Sequence, residues 1–354
     1  MIKIGLVGMP KSGKTTIFNA VTHSNAEVAD YFTGKMKPNL ATVKVADERI
    51  DYLSDNFKPE KTIHATIEYL DFVGIEKDKE KKEVFSDNFL ASLRTVDSLC
   101  LVIRGFELSG KKINPLEDIE SLESEFIISD LVICEKRIET ISKQMKRGVN
   151  KIEGKTEIKL IEKCISCLND GKPIRTLVLN SPEEKILRGF QFLTRKPVFV
   201  ILNVDDDSYH SNENVMNKIA ETYPAVEIAG KFEMEIIQLD DEEAEMFMEE
   251  YDITESAMDK LTRLSYKTLG LISFFTIGKD EVRAWTLKNG STAVEAAGEI
   301  HSDLAQGFIR AERFSYNDFK EYGSEKELKE KGKFHLEGKE YKVLDGDILC
   351  IRHN

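Results

Sequence analysis

Cysteine is scarce in this chain, tryptophan occurs once, and no long apolar run is present. Five cysteines, Cys100, Cys134, Cys164, Cys167 and Cys350, make an odd and scattered count. That excludes a disulfide-stapled scaffold and suits free thiols in a reducing compartment. Cys164 and Cys167 form a lone CxxC with no second Cys or His pair nearby to complete a zinc site. No stretch approaches the roughly 18 apolar residues of a membrane span. The first residues read as a strand rather than a leader peptide, so a cytoplasmic protein without a membrane role is expected. Positive charge is also in deficit. Fifty Lys and Arg against 63 Asp and Glu give a net charge of −13, which disfavours nucleic-acid binding by the whole surface but permits a local basic patch.

The 354 residues suffice for two or three domains with their own cores. The strongest signal opens the chain. Ile2–Val7 is a short apolar strand, followed by Gly8-Met-Pro-Lys11-Ser12-Gly13-Lys14-Thr15-Thr16 and then an apolar helical start. This is G-x-x-x-x-G-K-[ST] between a strand and a helix, the context in which the motif forms a phosphate-binding loop. Its glycines let backbone N–H groups curl around phosphate oxygens, and the helix aims its positive end at the same anion. Lys14 is expected at the β- and γ-phosphates and the Thr15 hydroxyl on Mg²⁺.

Two further strand ends fit the same chemistry. Thr62–Leu70 reads as one strand ending in Asp71-Phe-Val-Gly74. There the Asp is expected to hold Mg²⁺ through water, and the Gly74 N–H to sense the γ-phosphate. Pro197–Leu202 is a strand ending in Asn203-Val204-Asp205-Asp206, an N-x-x-D where many GTPases read the base, with Val204 in place of the usual Lys. Short apolar strands separated by helices, including Ser98–Ile103, predict an α/β nucleotide-binding domain with a mostly parallel sheet.

The whole chain resembles the YchF-type, Obg-like ATPases, a branch of the translation-factor-related P-loop GTPases. The resemblance is carried by Pro38-Asn39, Asn88-Phe-Leu-Ala91, Asn114-Pro115 and Lys196-Pro197, and most specifically by Glu281-Val-Arg-Ala-Trp-Thr286, Gly307-Phe-Ile-Arg-Ala-Glu312 and Asp345-Gly-Asp347. It implies a P-loop NTPase fold at residues 1–117 and 193–270, a helical insertion at 118–192 and a C-terminal β-grasp TGS domain at 271–354. It also implies ATP preference with Mg²⁺ and a ribosome or translation-factor partner. The nucleotide-binding residues expected are Gly8, Lys11, Ser12, Gly13, Lys14, Thr15, Thr16, Gly74, Asn203, Val204 and Asp206, with Thr15 and Asp71 at the metal.

The chain departs from the family pattern where hydrolysis is assisted. Lys11 stands where the family has an Asn that helps hold K⁺, so hydrolysis independent of K⁺ is expected. Lys35 stands at the metal-sensing Thr of the first switch, with Thr33 two places off. Ile75-Glu-Lys-Asp-Lys-Glu-Lys-Lys-Glu83 replaces a Gly-rich second switch, and the loop from Phe106 to Pro115 lacks the family's His. No residue is assigned as general base, and slow turnover is expected. The family's base-reading pattern is N-x-x-E, whereas Asp206 is one methylene shorter. A GTP-specific enzyme and a non-hydrolysing scaffold therefore stand as alternatives. A small-molecule kinase is set aside for want of an arginine-rich lid.

Within the insertion, Leu131, Cys134, Ile138, Ile141 and Met145 and then Ile158, Ile161, Ile165 and Leu168 keep 3,4 spacing, with a break expected from Gly148 to Gly154. This predicts an antiparallel helical hairpin with an apolar seam. Lys136–Lys163 holds nine basic and four acidic residues. Contact with ribosomal RNA and a merely solvated face are both open readings of that charge. Trp285 and His301 are expected to be structural.

Overall fold

The computed structural model describes all residues except 24–37, 73–84, 109–112, 148–150, 252 and 254. Two compact units form. One comprises Ile2–Ala41 and Glu68–Met258, and the other Met1, Thr42–Ile67 and Asp259–Asn354. The described strands begin with β1 (Ile2–Val7), β2 (Asn39–Lys44), β3 (Lys61–Ile63), β4 (Thr66–Asp71), β5 (Ser98–Arg104), β6 (Val198–Asn203) and β7 (Ala225–Ile228). They continue with β8 (Leu271–Ile277), β9 (Glu281–Lys288), β10 (Phe308–Ser315), β11 (His335–Glu337) and β12 (Asp347–His353).

The first sheet has the order β2-β4-β1-β5-β6-β7, and β1–β5, β5–β6 and β6–β7 pair in parallel. Every residue of β5 and β6 is buried, as expected for central parallel strands covered on both faces. Gly8, Asp71 and Asn203 stand at the carboxyl ends of β1, β4 and β6, the edge where ligands of open α/β sheets sit.

Helix α1 (Lys14–Thr22) follows β1, α2 (Glu48–Phe57) precedes β3, and α3 (Asp87–Leu93) leads into β5. Helix α4 (Pro115–Lys146) runs for 32 residues. It starts with proline and Glu117 and Asp118 in the first turn and ends with Lys143 and Lys146, the charge order that its dipole favours. Helix α5 (Lys151–Asn169) packs back along it. The seam buries Cys134, Ile141, Ile161 and Leu168, with Leu131, Ile138, Met145, Ile158 and Ile165 packed partly buried against them, all residues picked out by 3,4 spacing; Cys164, which the spacing did not pick out, is buried with them. Gly154, expected within the break, lies inside α5. A Cβ there would come within 3.0 Å of Ile141 and 3.2 Å of Met145, so this glycine serves close helix contact rather than a turn.

The middle of α4 is fixed by Asp130, which is fully buried. Its carboxylate accepts from Arg94 Nη1 at 2.7 Å, Leu193 N at 3.2 Å, Thr194 N at 2.8 Å and Thr194 Oγ1 at 2.7 Å. Arg94, the C-cap of α3, also donates to Ser129 Oγ and to the Gln191 carbonyl.

The second sheet has the order β11-β10-β12-β8-β9-β3. Strands β8 and β9 form an antiparallel pair, β12 runs parallel to β8, and helix Ala293–Ile300 covers one face. Residues 42–67, expected in the nucleotide-binding domain, group with this unit because β3 pairs in parallel with β9 from Lys61↔Glu281 to Ile63↔Arg283. Arg49 on α2 adds a hydrogen-bonded ion pair to Asp47 and another to Asp345 and lies over the Phe275 ring. Thr62–Leu70, expected as one strand, is thus β3 and β4, in different sheets. Trp285, expected in the core, is only half-buried. It packs against the core with its Nε1 donating to Thr276 Oγ1, and the Arg283 guanidinium covers its ring at 3.9 Å. His301 caps the helix Ser302–Gln306 by accepting from Asp303 N. Among the described residues, no helix is long and apolar enough to cross a membrane.

Removing the acidic partner of a buried pair leaves a charge without compensation. Asp130→Ala is expected to cost about 3–5 kcal/mol, seen as a lowered urea midpoint for the unit that carries the hairpin. An unchanged midpoint would show that Arg94 rehydrates freely.

Candidate functional site

The phosphate loop is shaped by what cannot be added to it. A Cβ on Gly8 would sit 2.3 Å from the Val102 carbonyl and 2.6 Å from Ser12 Oγ. Gly13 has φ +84°, and a Cβ there would sit 2.0 Å from Asn203 Nδ2. A side chain at either position would break the close approach that closes the loop. Gly13 is also the N-cap of α1 and offers no side-chain cap, so the first-turn N–H groups are left to an anion. Lys11 is exposed at the rim with φ 65°, and Thr16 is half-buried in the first helical turn.

Lys14 folds back over the loop, donating to the Gly8 carbonyl at 3.0 Å and the Met9 carbonyl at 3.2 Å. Burial lowers its pKa to about 8, with the Asp71 carboxylate opposing the shift. Thr15 Oγ1 donates to Asp71 Oδ2 at 2.8 Å, and Asn39 Nδ2 reaches the same oxygen at 3.3 Å. Asp71 is wholly buried. Burial raises its pKa, against the Thr15 hydrogen bond, the Lys14 charge and the Asn39 hydrogen bond. Among the described residues its other oxygen, Oδ1, is buried without a partner, as is Ser12 Oγ. A hydroxyl beside an unpartnered carboxylate oxygen is a hard oxygen donor set, and it fits Mg²⁺ shared with phosphate oxygens and water.

At the end of β6, Asn203 is almost fully buried. Its Nδ2 donates to the Ser12 carbonyl at 3.0 Å, and its Oδ1 accepts from Gly230 N at 3.2 Å. Val204 is buried and its N–H donates to the Ile228 carbonyl. Asp206 begins a short 3₁₀ turn, Asp206–Ser208. Burial raises its pKa, reinforced by Glu235 and opposed by Lys231, and its Oδ1 has no partner among the described residues. The structure therefore brings Gly8, Ser12, Gly13, Lys14, Thr15, Asp71 and Asn203 together. Gly74, Lys35, Thr33 and the 75–83 segment lie outside the described residues.

Two contributors escaped sequence reasoning. Asn39 belonged to a matching string but carried no assigned role, since nothing local places it beside Asp71. Gly230 starts helix Gly230–Ile236 after β7. A Cβ there would lie 2.9 Å from Asn203 Oδ1. The only sequence signal was a strand end followed by Ala-Gly, which is too common to use.

A family model described as a 50S ribosome-binding GTPase matches residues 3–137. The YchF-GTPase C-terminal model, described as a protein of unknown function, matches residues 271–354. The chain is 39% identical over 363 residues to the ribosome-binding ATPase YchF of Bacillus subtilis, covering 99% of this chain and 98% of that one. It is 38% identical over 362 residues to the protein of the same name from Escherichia coli, covering 99% of each. The solved structure of the Schizosaccharomyces pombe YchF GTPase matches with a TM-score of 0.84 at 30% identity, over 99% of this chain and 97% of that one.

The Lys14 shift sets a pH dependence. With burial lowering its pKa to about 8 in the free protein, its ammonium is expected to lose its proton there, whereas a polyphosphate bound beside it would hold it protonated. Above pH 8 binding must therefore take up one proton. ADP affinity is expected to fall by about tenfold per pH unit from pH 8.5 upward, measured by calorimetry in buffers of different ionisation enthalpy. A flat profile to pH 9.5 would contradict the assignment.

Proposed function

The chain belongs to the YchF family, and from that premise we propose that it is a ribosome-associated switch that binds ATP with Mg²⁺ and hydrolyses it slowly. The observation that carries this reading is the Lys14–Thr15–Asp71 cluster, in which Lys14 and Asp71 are buried and Thr15 is half-buried, at a loop closed by Gly8 and Gly13. Lys14 would trade its two carbonyl contacts for the β- and γ-phosphates. Thr15 and, through water, Asp71 would hold Mg²⁺, which supplies charge neutralisation on the phosphate oxygens. Gly74 would supply an N–H to the γ-phosphate. Asn203 would hold the loop in register, and Val204 and Asp206 would line the base.

Phosphoryl transfer depends on positioning and charge neutralisation, and the proximity of Lys14, Thr15 and Asp71 supports the binding part of that machinery. Among the described residues no side chain is assigned to orient the attacking water. Intrinsic turnover is accordingly placed near the ~10⁻⁴ s⁻¹ of an unassisted small GTPase. The relatives named as ribosome-binding support a ribosomal partner. The excess of basic residues at Lys136–Lys163 supports an RNA contact through the hairpin, although Arg137 is paired with Glu157 and Lys143 with Glu139.

Asp206 favours a second reading, in which GTP is the substrate, because it retains the carboxylate that accepts from the guanine edge. Titrating the nucleotide-free protein with ATP and GTP separates the two. Tighter ATP binding and product release over hours are expected, and a kcat above about 1 s⁻¹ without a partner would refute slow turnover. Equal rates in K⁺ and Na⁺ are expected, since Lys11 occupies the place of the K⁺-holding Asn. A strong K⁺ requirement would show that Lys11 does not substitute for the ion.

A further inference from the structure

Asp71 reaches its neighbours unevenly. Both side-chain donors that the described residues offer it, Thr15 Oγ1 and Asn39 Nδ2, converge on Oδ2, while Oδ1 has none. A carboxylate rotates about its terminal bond between two equivalent orientations. In a site this buried, the position of the donors decides which oxygen faces inward. Asn39 opens β2, and β2 lies beside β4, which ends at Asp71. The amide thus comes from a neighbouring strand, outside the phosphate loop. It adds a donor without adding charge next to Asp71 and Lys14.

We propose that Asn39 is a positioning residue of the metal–phosphate site, its side-chain amide fixing the Asp71 carboxylate so that Oδ1 faces the nucleotide-bound divalent cation. The inference rests on the reading of Asp71 as the carboxylate of that site. Thr15 Oγ1 can offer a lone pair to the metal while its proton stays on Oδ2, but a single donor leaves the carboxylate free to pivot about that one bond. The Asn39 amide is the second donor on Oδ2, and two donors from different segments fix the plane of the carboxylate. Asn39 touches Asp71 and is assigned no contact with the nucleotide. Its loss should weaken metal binding to the nucleotide complex while leaving metal-free nucleotide binding intact.

The probe is Mn²⁺ in place of Mg²⁺, titrated against the protein saturated with ADP and read by electron paramagnetic resonance. ADP affinity in EDTA is measured alongside. For Asn39→Ala the Mn²⁺ Kd is expected to rise about 10- to 100-fold, the usual cost of losing a group that orients a metal-site ligand. ADP affinity in EDTA should stay within about twofold of the parent. Asn39→Asp is close in shape and tests the same bond should the alanine variant fail to fold. It sets a second carboxylate against Asp71 and should perturb Mn²⁺ affinity at least as much. Asp71→Asn is the control on the underlying reading. If Asp71→Asn weakens Mn²⁺ binding and neither Asn39 variant does, the positioning role is wrong and the site reading stands. If Asp71→Asn has no effect, the reading of Asp71 fails and this inference falls with it. Loss of ADP affinity in EDTA together with Mn²⁺ affinity would make Asn39 a structural residue of the loop and overturn the proposal.

Discussion

One buried side-chain amide, that of Asn203, holds three segments of the nucleotide unit together. It donates to the phosphate loop at Ser12 and accepts from the start of a helix at Gly230, and it sits at the end of a fully buried strand. Both bonds are made in a setting where an unpaired donor or acceptor is expensive, so the spacing between these segments has little freedom. The glycines follow from this constraint. Gly13 and Gly230 lack side chains because the amide occupies the space that a Cβ would need. The shape of the phosphate loop is thus set partly from β6, some 190 residues further along the chain.

The loop, once formed, stores tension. Among the described residues, Lys14 is buried with carbonyl partners and a neighbouring carboxylate, and Asp71 is buried with one oxygen unpaired. Burial acts against both charges, as the opposite directions of their pKa shifts show. Local strain of this kind is common where a protein is shaped for its ligand rather than for its own stability. A polyphosphate with a divalent cation would supply the missing partners of both groups at once, on the function proposed above. The same groups that weaken the empty site therefore favour a charged ligand over a neutral one.

What could be read from the sequence divides along physical lines. The phosphate loop was legible because its spacing is the backbone geometry itself, and the place of Asp71 beside Thr15 because neighbouring parallel strands end on the same edge of the sheet. The seam of the hairpin was legible because helical periodicity survives in the order of residues. Asn39 and Gly230 were not, since their roles arise where separate strands meet. Gly154 misled because glycine is a helix breaker by local rule, yet here the neighbouring helix leaves no room for a larger residue. The place of residues 42–67 was missed because a three-strand-residue parallel pairing with β9 leaves no trace in local pattern. Glu and Asp at the base-reading position differ by one methylene, and sequence gives no geometry for that difference.

The long helix α4 has a mechanical consequence. Asp130 anchors it halfway, to the residue that ends α3 and to the backbone at 193–194, and beyond that point its contacts are chiefly with α5. From Asp130 to Lys146 the free half extends about 24 Å at ~1.5 Å per residue. It is a lever whose fulcrum is a buried carboxylate. Each degree of tilt at that fulcrum carries the tip through about 0.4 Å on the same helical rise. A shift of α3 too small to disturb the sheet would therefore become, at the far end of the hairpin, a displacement large enough to make or break a contact.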